Sequence, residues 1–218
     1  AGGGAVWRHV PKSVATYVTG NAQRANITLN DSTMVALGVA SRLEVPGDFS
    51  EGNHTVRLTG EALFTVAHHR GRPFTVIAGG NATRVLGTSF MVRHYSTDTA
   101  TVVAVQDGRV AVRSTIVAAM QFARVDRSGA VRVQPASQTM FGFTTGVLTL
   151  NGMPFPQAIT ELNRWYDADI RLGDSALATR RVAGEYAAGS LADLAAYLEM
   201  TFDVRVVRSG RVLTLFQR

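Results

Sequence analysis

The residue pair Gly87-Thr88 is the feature of this sequence that most directly suggests chemistry. It interrupts a run of strand-forming residues, RVLGTSFMV (84–92), which resumes after the pair. Thr88 places a hydroxyl next to the carbonyl of Gly87, which is the arrangement needed for intramolecular attack on the backbone. Glycine also tolerates positive φ, so Gly87 alternatively predicts a kink or turn inside a sheet. The two interpretations are compatible, because a strained bend would lower the barrier to such an attack.

The histidines that suggest a base or a metal ligand are His68, His69 and His94. The first two are neighbours on a predicted strand and point to opposite faces, so a regular strand cannot direct both at one metal. His94 lies about 20 Å from Thr88 along an extended chain, at about 3.3 Å per residue. We therefore expect a neighbouring strand to supply any base, and we expect no metal site and no cofactor.

The sequence lacks the residue patterns of a turnover enzyme. No carboxylate pair or Ser-His-Asp order stands out, and Gly2-Gly3-Gly4 precedes no strand-helix unit that would bind a nucleotide. The 218 residues include no cysteine, which removes thiolate catalysis and disulfide frameworks and is compatible with cytoplasm or periplasm. The chain is therefore not expected to be an enzyme, apart from a single self-cleavage at Thr88.

Charge and hydropathy divide the chain into two units. Residues 1–150 carry 14 basic and 8 acidic side chains, whereas residues 151–218 carry 8 of each. The arginines are scattered singly along predicted strands, which argues against nucleic-acid binding. No stretch reaches the roughly 18 apolar residues of a membrane helix.

The chain starts with AGGGAVWR rather than with methionine. We expect residues 1–12 to be a juxtamembrane remnant or, alternatively, a cloning scar. The two units that follow are predicted at 13–143 and 144–218.

The first unit is predicted to be an all-β domain, built from stacked sheets in a solenoid-like or sandwich-like arrangement. Short runs rich in valine, threonine and phenylalanine recur every eight to ten residues and are separated by turn-forming residues. The runs are NITL (26–29), TMVAL (33–37), HTVRLTG (54–60), ALFTVA (62–67), PFTVIAG (73–79), ATRVLG (82–87), SFMVRHY (89–95), TVVAVQ (101–106) and RVAVRS (109–114).

The second unit is predicted to be a small βαββαββ domain, so that the fold class overall is α+β. A helix with prolines in its first turn follows the strand at 146–152, and a second helix opens at a capping box on Ser190. We expect the strands to form one sheet with both helices on one face.

A small sheet with a free edge can accept a strand from a partner. Two strands of the second unit are candidates for that edge, unless both are internal. The candidate partner-binding residues are Val182, Gly184, Tyr186, Val212, Thr214 and Phe216.

Four blocks in the first unit resemble the periplasmic region of the FecR family, ferric-citrate-type transmembrane regulators of extracytoplasmic-function sigma factors. The family pattern is G-E-A-x-F-x-V, then R-P-F-x-V, then V-L-G-T-x-F-x-V, then E-G-x-V-x-V. Asp107-Gly108 stands in the last block, and Met91 stands where the family usually has asparagine. The matching residues are Gly60, Glu61, Ala62, Phe64 and Val66; Arg72, Pro73, Phe74 and Val76; and Val85, Leu86, Gly87, Thr88, Phe90 and Val92.

The resemblance implies a signalling role in the periplasm, as part of a single-pass inner-membrane protein. The family binds a sigma factor through a cytoplasmic segment, and both that segment and the membrane helix are absent from this sequence. The implied partner is the signalling domain of a TonB-dependent outer-membrane receptor in siderophore-type iron uptake. The C-terminal unit is similar to the short N-terminal (STN) domain of secretins and TonB-dependent receptors.

Some members of the family cleave themselves at the Gly-Thr bond, so the resemblance implies an N-to-O acyl shift at Gly87-Thr88. The alternative class of function is a periplasmic module that binds a glycan or peptidoglycan. Such a module needs an exposed aromatic platform, and the two tryptophans and five tyrosines are scattered along the chain.

Overall fold

The computed structural model describes residues 13–49, 54–68, 72–187 and 189–218. Strands dominate the part before residue 136 because its apolar residues alternate with polar ones, the period of a half-buried strand. The strands are β1 Ala15–Val18, β2 Ala25–Thr28, β3 Met34–Leu37, β4 Arg42–Val45, β5 Thr55–Thr65, β6 Phe74–Ala78, β7 Asn81–Val85, β8 Ser89–His94, β9 Ala100–Asp107, β10 Arg109–Val112, β11 Thr115–Ala118, β12 Gln121–Asp126 and β13 Val131–Pro135.

These strands form two stacked sheets that share β5. Sheet 1 has the order β1-β4-β5-β6-β7-β10-β11, and sheet 2 has the order β2-β3-β5-β8-β9-β12-β13. The predicted stacked-sheet architecture is confirmed. The runs 54–60 and 62–67, expected as separate strands, are one strand that passes from one sheet to the other.

The change of sheet occurs at Gly60, where φ is +108°. A Cβ at this position would lie 2.2 Å from the Ser41 hydroxyl oxygen and 2.8 Å from the Ser41 Cα. Only glycine fits this bend, because both the backbone angle and the close approach exclude a side chain.

The core of the β-domain lies between the two sheets. It contains the rings of Phe64, Phe74 and Phe90, each almost fully buried. Before Gly60, β5 alternates buried and exposed residues; after it, side chains on both faces are buried or half-buried. The outer face of sheet 2 is therefore covered, whereas sheet 1 keeps the alternation of a sheet with one solvent face.

The C-terminal domain provides that cover. It comprises a 3-10 helix Gln138–Thr145, β14 Val147–Pro154, α1 Phe155–Tyr166, β15 Asp169–Leu172, a 3-10 helix Ser175–Thr179, β16 Arg181–Ala187, α2 Leu191–Phe202, β17 Val204–Ser209 and β18 Val212–Gln217. The predicted βαββαββ order is confirmed, as is the capping box in which Ser190 and Asp193 bond each other's backbone.

The expectation of one C-terminal sheet is wrong. β14 and β16 form an antiparallel pair, while β15, β18 and β17 form a separate three-stranded sheet. Alternating apolar residues identify strands but carry no information about which strands pair. The sequence pattern therefore could not distinguish one sheet from two.

One apolar cluster joins the two domains. Met91 and Ala104 of sheet 2 belong to the same cluster as Phe155, Leu162 and Trp165. The expected boundary after residue 143 falls inside the first 3-10 helix, whose phenylalanines also pack into this cluster. Among the described residues, no helix has the length and apolar character to cross a membrane. The expectations for residues 1–12 lie outside the described part of the chain.

Candidate functional site

Gly87 and Thr88 lie in the connection where the chain leaves sheet 1 after β7 and enters sheet 2 at β8. A Cβ at Gly87 would lie 2.0 Å from Nδ1 and 3.0 Å from Cα of His68. The Val66 amide donates a hydrogen bond to the Thr88 carbonyl oxygen, 3.0 Å away, which holds the segment after β5 beside the connection. The bend predicted at Gly87 is confirmed, and its cause is this close passage of two backbone segments.

The Thr88 side chain is buried, with 5% of its surface exposed. Its hydroxyl donates a hydrogen bond to the Arg109 carbonyl oxygen at 2.9 Å. Gly108 has a φ of +86°, and a Cβ there would lie 2.9 Å from the Thr88 Oγ1 and 3.2 Å from the Gly87 carbonyl oxygen. The hydroxyl and the peptide group that it would attack thus lie against the same glycine.

Attack by the Thr88 hydroxyl requires a group that accepts its proton. The Arg109 carbonyl oxygen accepts a hydrogen bond from the hydroxyl but is too weak a base to remove the proton. His68 contacts Gly87 and carries a basic imidazole. Sequence reasoning singled out His68 and expected a neighbouring segment to supply the base, but the pattern of residues could not show that these two positions meet.

His94 makes its polar contacts away from this site. His94 Nδ1 lies 3.2 Å from the Thr101 hydroxyl oxygen and 3.4 Å from the Ala100 carbonyl oxygen. His69 lies outside the described residues. Across the described ranges, no group of three or more His, Cys, Asp or Glu side chains is placed to hold a metal ion.

A buried group of charged side chains lies where the C-terminal domain meets sheet 2. Arg93 of β8 donates hydrogen bonds to both carboxylate oxygens of Glu161 in α1, at 2.5 and 3.2 Å. Glu161 also accepts two hydrogen bonds of 3.1 Å from Arg164. Asp98 lies 3.3 Å and Glu61 3.9 Å from Arg93. We call these five residues the junction cluster.

Burial determines the protonation behaviour of the junction cluster. Burial raises the pKa of Glu61 to about 7 from an ordinary 4.5; Arg93 partly offsets this effect, and Glu161 and Asp98 add to it. Burial alone would lower the pKa of Arg93, but the carboxylates of Glu161 and Glu61 hold that pKa above its usual range. Arg93 therefore stays charged, while Glu61 changes its charge near neutral pH.

The Tyr95 ring packs against one arginine from each domain. Its ring centroid is 4.7 Å from the Arg93 guanidinium carbon and 3.8 Å from that of Arg164. The Tyr95 hydroxyl donates to the Val39 carbonyl oxygen at 2.9 Å, and the Ala22 amide donates to the Arg164 carbonyl oxygen at 2.9 Å. The domains are thus connected by ion pairs, a ring contact and a backbone hydrogen bond, none of which the sequence pattern indicated.

A cavity of about 650 Å³ opens beside the junction cluster, between the two domains. Its volume falls within the range of small-ligand sites. Its walls combine charged and apolar side chains, among them Glu61, Arg93, Met91, Met153 and Trp165.

The expectation of a free edge at the last strand is wrong. β18 lies between β15 and β17, so both of its edges are paired. Val212, Thr214 and Phe216 are half-buried on this central strand, and the Arg205 guanidinium lies 4.8 Å from the Phe216 ring centroid. Whether these three residues bind a partner stays a prediction.

Among the described strands, β16 pairs with β14 alone, so its other edge is open. The side chains of Val182 and Tyr186 are 2% and 4% exposed. At Gly184, a Cβ would lie 3.2 Å from the Tyr197 hydroxyl oxygen. A partner would therefore meet β16 through its backbone edge rather than through these side chains.

Two family models match the chain, and both are models of FecR. The model of the FecR protein matches residues 15–111, and the model of the FecR C-terminal region matches residues 147–215. Together they span well over half of the sequence and include Gly87-Thr88 and all five residues of the junction cluster. The chain belongs to the FecR family. The likeness of its C-terminal domain to the STN domain stays a prediction.

Two crystal structures of a candidate anti-sigma factor from Parabacteroides distasonis ATCC 8503 share this fold. Both are 23% identical in sequence and cover 94% of this chain. The match covers 100% of one of those chains with a TM-score of 0.83 and 99% of the other with a TM-score of 0.81. A comparison with curated proteins finds no match.

Proposed function

We propose that this chain is the periplasmic signal-receiving region of an inner-membrane regulator of an extracytoplasmic-function sigma factor. Membership of the FecR family and a fold shared with a candidate anti-sigma factor support the role of a regulator. A cytoplasmic segment outside this sequence binds the sigma factor in this proposal. The signal comes from the signalling domain of a TonB-dependent outer-membrane receptor of siderophore-type iron uptake.

The open edge of β16 is the observation that carries the proposal. Unpaired backbone groups on an exposed strand can pair with an extended segment of a partner. β16 pairs with β14, which leads directly into α1, the helix that presents Glu161 to Arg93. A partner strand added to β16 would therefore act on the element that joins the C-terminal domain to sheet 2.

Proline substitutions at Ala183 and Gly184 test the edge. Successive amides of a strand point to opposite sides, so one of these prolines removes a donor from the open edge and the other removes a donor that faces β14. Calorimetry measures binding of the signalling domain of the receptor encoded beside the regulator. We expect the edge-facing proline to weaken binding about tenfold, the effect of losing roughly one hydrogen bond to the partner.

Ile116→Pro on the edge strand β11 is the matched control, and circular dichroism melts show which variants fold. The control should bind as the unaltered chain does. If the unaltered chain shows no binding at tens of micromolar, the proposed partner is wrong.

Self-cleavage between Gly87 and Thr88 is the second part of the proposal. The Thr88 hydroxyl oxygen bonds to the Gly87 carbonyl carbon, its proton passes to the departing Thr88 nitrogen, and an ester with a free amine results. Water then hydrolyses the ester and leaves a carboxylate at Gly87 and a hydroxyl at Thr88. The buried contact of both groups with Gly108 supports this step, because it keeps the nucleophile beside the peptide bond.

Mass spectrometry of freshly purified protein tests the cleavage. We expect fragments that end at Gly87 and begin at Thr88, and faster cleavage with hydroxylamine, which attacks the ester. Thr88→Ala should stay intact, whereas Thr88→Ser keeps a hydroxyl and should still be cut. A chain that remains whole over several days disproves this part of the proposal and leaves the partner-binding part untouched.

The alternative function, glycan binding, finds little support in the exposed surface. Tyr17 is the one aromatic residue among the large apolar side chains that are exposed in the described part of the chain, and Trp165 is buried. Sugar rings bind on exposed aromatic faces, so a single exposed tyrosine is a poor platform.

A further inference from the structure

The outer face of sheet 1 carries a row of arginines. Arg42, Arg57, Arg84 and Arg109 are exposed, and each lies next in sequence to a residue of the core between the sheets. Side chains alternate across a strand, so all four point away from that core. The C-terminal domain packs on sheet 2, on the other side of the β-domain. No described element covers this arginine face.

The positive charge of the arginine face is largely uncompensated. Glu44 is the one acidic residue within the strands that belong to sheet 1 alone, and it pairs with Arg42 at 2.9 Å. The side chains of Arg57, Arg84 and Arg109 make no hydrogen bond or ion pair with the described residues. Three guanidinium groups are thus available to an anionic partner.

Aliphatic side chains lie among these arginines. Val18 is opposite Arg42 in the β1-β4 pair and is 64% exposed; Ile116 is opposite Ala111, the neighbour of Arg84, and is 61% exposed. Leu86 follows β7 on the same side and is also exposed. Cations interspersed with exposed aliphatic groups are typical of surfaces that lie on a lipid interface.

A shallow depression lies within the arginine face. It has a volume of about 270 Å³ and is bordered by Arg42, Glu44, Arg57, Gly79 and Gly80, with Ile77 among its lining residues. Arg42 is paired with Glu44 here, so Arg57 is the guanidinium at this depression that can bind a phosphate through paired hydrogen bonds.

We propose that the arginine face docks on the anionic phospholipid headgroups of the membrane to which the regulator is anchored. This inference rests on the proposed membrane-anchored location and adds a defined orientation of the chain relative to the membrane. The chain enters sheet 1 through its edge strand β1, so the residues that precede the fold connect directly to this sheet. Docking through sheet 1 leaves the C-terminal domain, on the far side of sheet 2, directed away from the lipid and toward an incoming partner.

Vesicle co-sedimentation tests the docking. We expect the chain to bind vesicles that contain phosphatidylglycerol and to bind vesicles of phosphatidylcholine alone at least tenfold more weakly. Binding should fall as salt rises, because attraction to a charged surface is screened. Equal binding to both kinds of vesicle would overturn the proposal.

The variant Arg57→Gln/Arg84→Gln/Arg109→Gln removes three charges from the arginine face and should lower binding to phosphatidylglycerol vesicles at least tenfold. The matched control Arg127→Gln/Arg132→Gln/Arg208→Gln removes the same charge from exposed positions elsewhere and should bind nearly as the unaltered chain does. Equal losses in the two variants would show that net charge, rather than this face, attracts the protein, and would overturn the proposal.

Binding of the receptor signalling domain to the same two variants distinguishes a failure of the docking inference from a failure of the proposed function. If the arginine-face variant loses affinity for the signalling domain instead of for vesicles, the face docks a protein and the membrane proposal is wrong. If the signalling domain binds normally and vesicles do not bind at all, the proposed function stands and the docking inference falls.

Discussion

At the scale of single residues, Gly108 holds the backbone close to the Thr88 hydroxyl. Its φ of +86° and the 2.9 Å approach of a Cβ to Thr88 Oγ1 both oppose a side chain. We expect Gly108→Ala to lower the free energy of unfolding by about 2–3 kcal/mol, the sum of left-handed strain and local overpacking. Urea denaturation measures the change.

Gly80→Ala is the control that measures how much of the loss in unfolding free energy comes from backbone strain alone. Gly80 has a φ of +75°, but a Cβ there would meet nothing within 4 Å. Its substitution should cost only about 1 kcal/mol. Equal losses at both positions would contradict the close contact between Gly108 and Thr88.

The raised pKa of Glu61 makes stability depend on pH. Since the folded-state pKa of about 7 exceeds the ordinary 4.5, folding favours the protonated carboxyl. The free energy of unfolding is then highest below pH 4.5 and falls by about 3 kcal/mol as pH rises through 7, at roughly 1.4 kcal/mol per pKa unit.

Glu61→Gln should remove this loss, so the variant should be more stable than the unaltered chain above neutral pH. Arg93 keeps two carboxylate partners in the variant, Glu161 and Asp98. Urea midpoints at about pH 5 and about pH 8 measure the difference in slope. An unchanged pH slope in the variant would show that other groups produce the dependence.

At this scale the sequence shows that a hydroxyl and a backbone carbonyl are neighbours at Gly87-Thr88, and self-cleavage there stays a prediction. The contacts that this pair makes with other segments could not be predicted from the sequence. His68 and Gly108 meet it through the register of separate segments, and register depends on packing and turns rather than on local composition.

At the scale of elements, the junction between β8 and α1 rests on Arg93 and Glu161. Both side chains are largely removed from water, so each relies on hydrogen bonds within the protein, and their shared pair links the two elements. We expect Glu161→Gln combined with Arg93→Met in a double-mutant cycle to give a coupling energy of about 1–3 kcal/mol. Thermal or urea melts of the four proteins supply the values.

The exposed pair of Asp169 and Arg171 provides the comparison, since both side chains are largely in water. Asp169→Asn should leave the urea midpoint unchanged, as is usual for a solvated ion pair. A coupling energy near zero between Arg93 and Glu161 would mean that this ion pair does not help to join the domains.

The helices and strands themselves could largely be predicted from the spacing of apolar residues and from the turn-forming and capping residues between them. The helix that opens at Ser190 follows from its capping box. The sharing of β5 between sheets could not be predicted, because the bend at Gly60 depends on the approach of Ser41, which is distant in sequence. The split of the C-terminal strands into two sheets could not be predicted either, because strand pairing also depends on contacts between residues that are distant in sequence.

At the scale of the whole molecule, three layers succeed one another: sheet 1, sheet 2 and the C-terminal domain. Gly87-Thr88 lies in a chain crossing between the first two layers, and the junction cluster lies between the last two. The proposed sites for chemistry and for the partner are thus separated by sheet 2, whose strand β8 carries Arg93 at one end and follows Thr88 at the other.

A cut between Gly87 and Thr88 should not separate the molecule into two pieces. β5 lies before the cut and pairs with β8 after it over six residues, and β7 pairs with β10 across the same point. The Phe64 and Phe90 rings, which belong to different fragments, stack with centroids 5.4 Å apart in the core. Burial of such aromatic surface and the ladder hydrogen bonds together outweigh the loss of one covalent link.

We therefore expect the cleaved protein to elute from a sizing column as one species of the mass of the intact chain and to separate only in denaturant. If the chain is not cut, co-expressed fragments 13–87 and 88–218 provide the same measurement. Two separate peaks in native buffer would contradict the strand pairing across the cut. Because the fragments remain associated, cleavage by itself would leave the C-terminal domain joined to sheet 2, and the proposed signal at β16 would still act on a chain that is connected to β1.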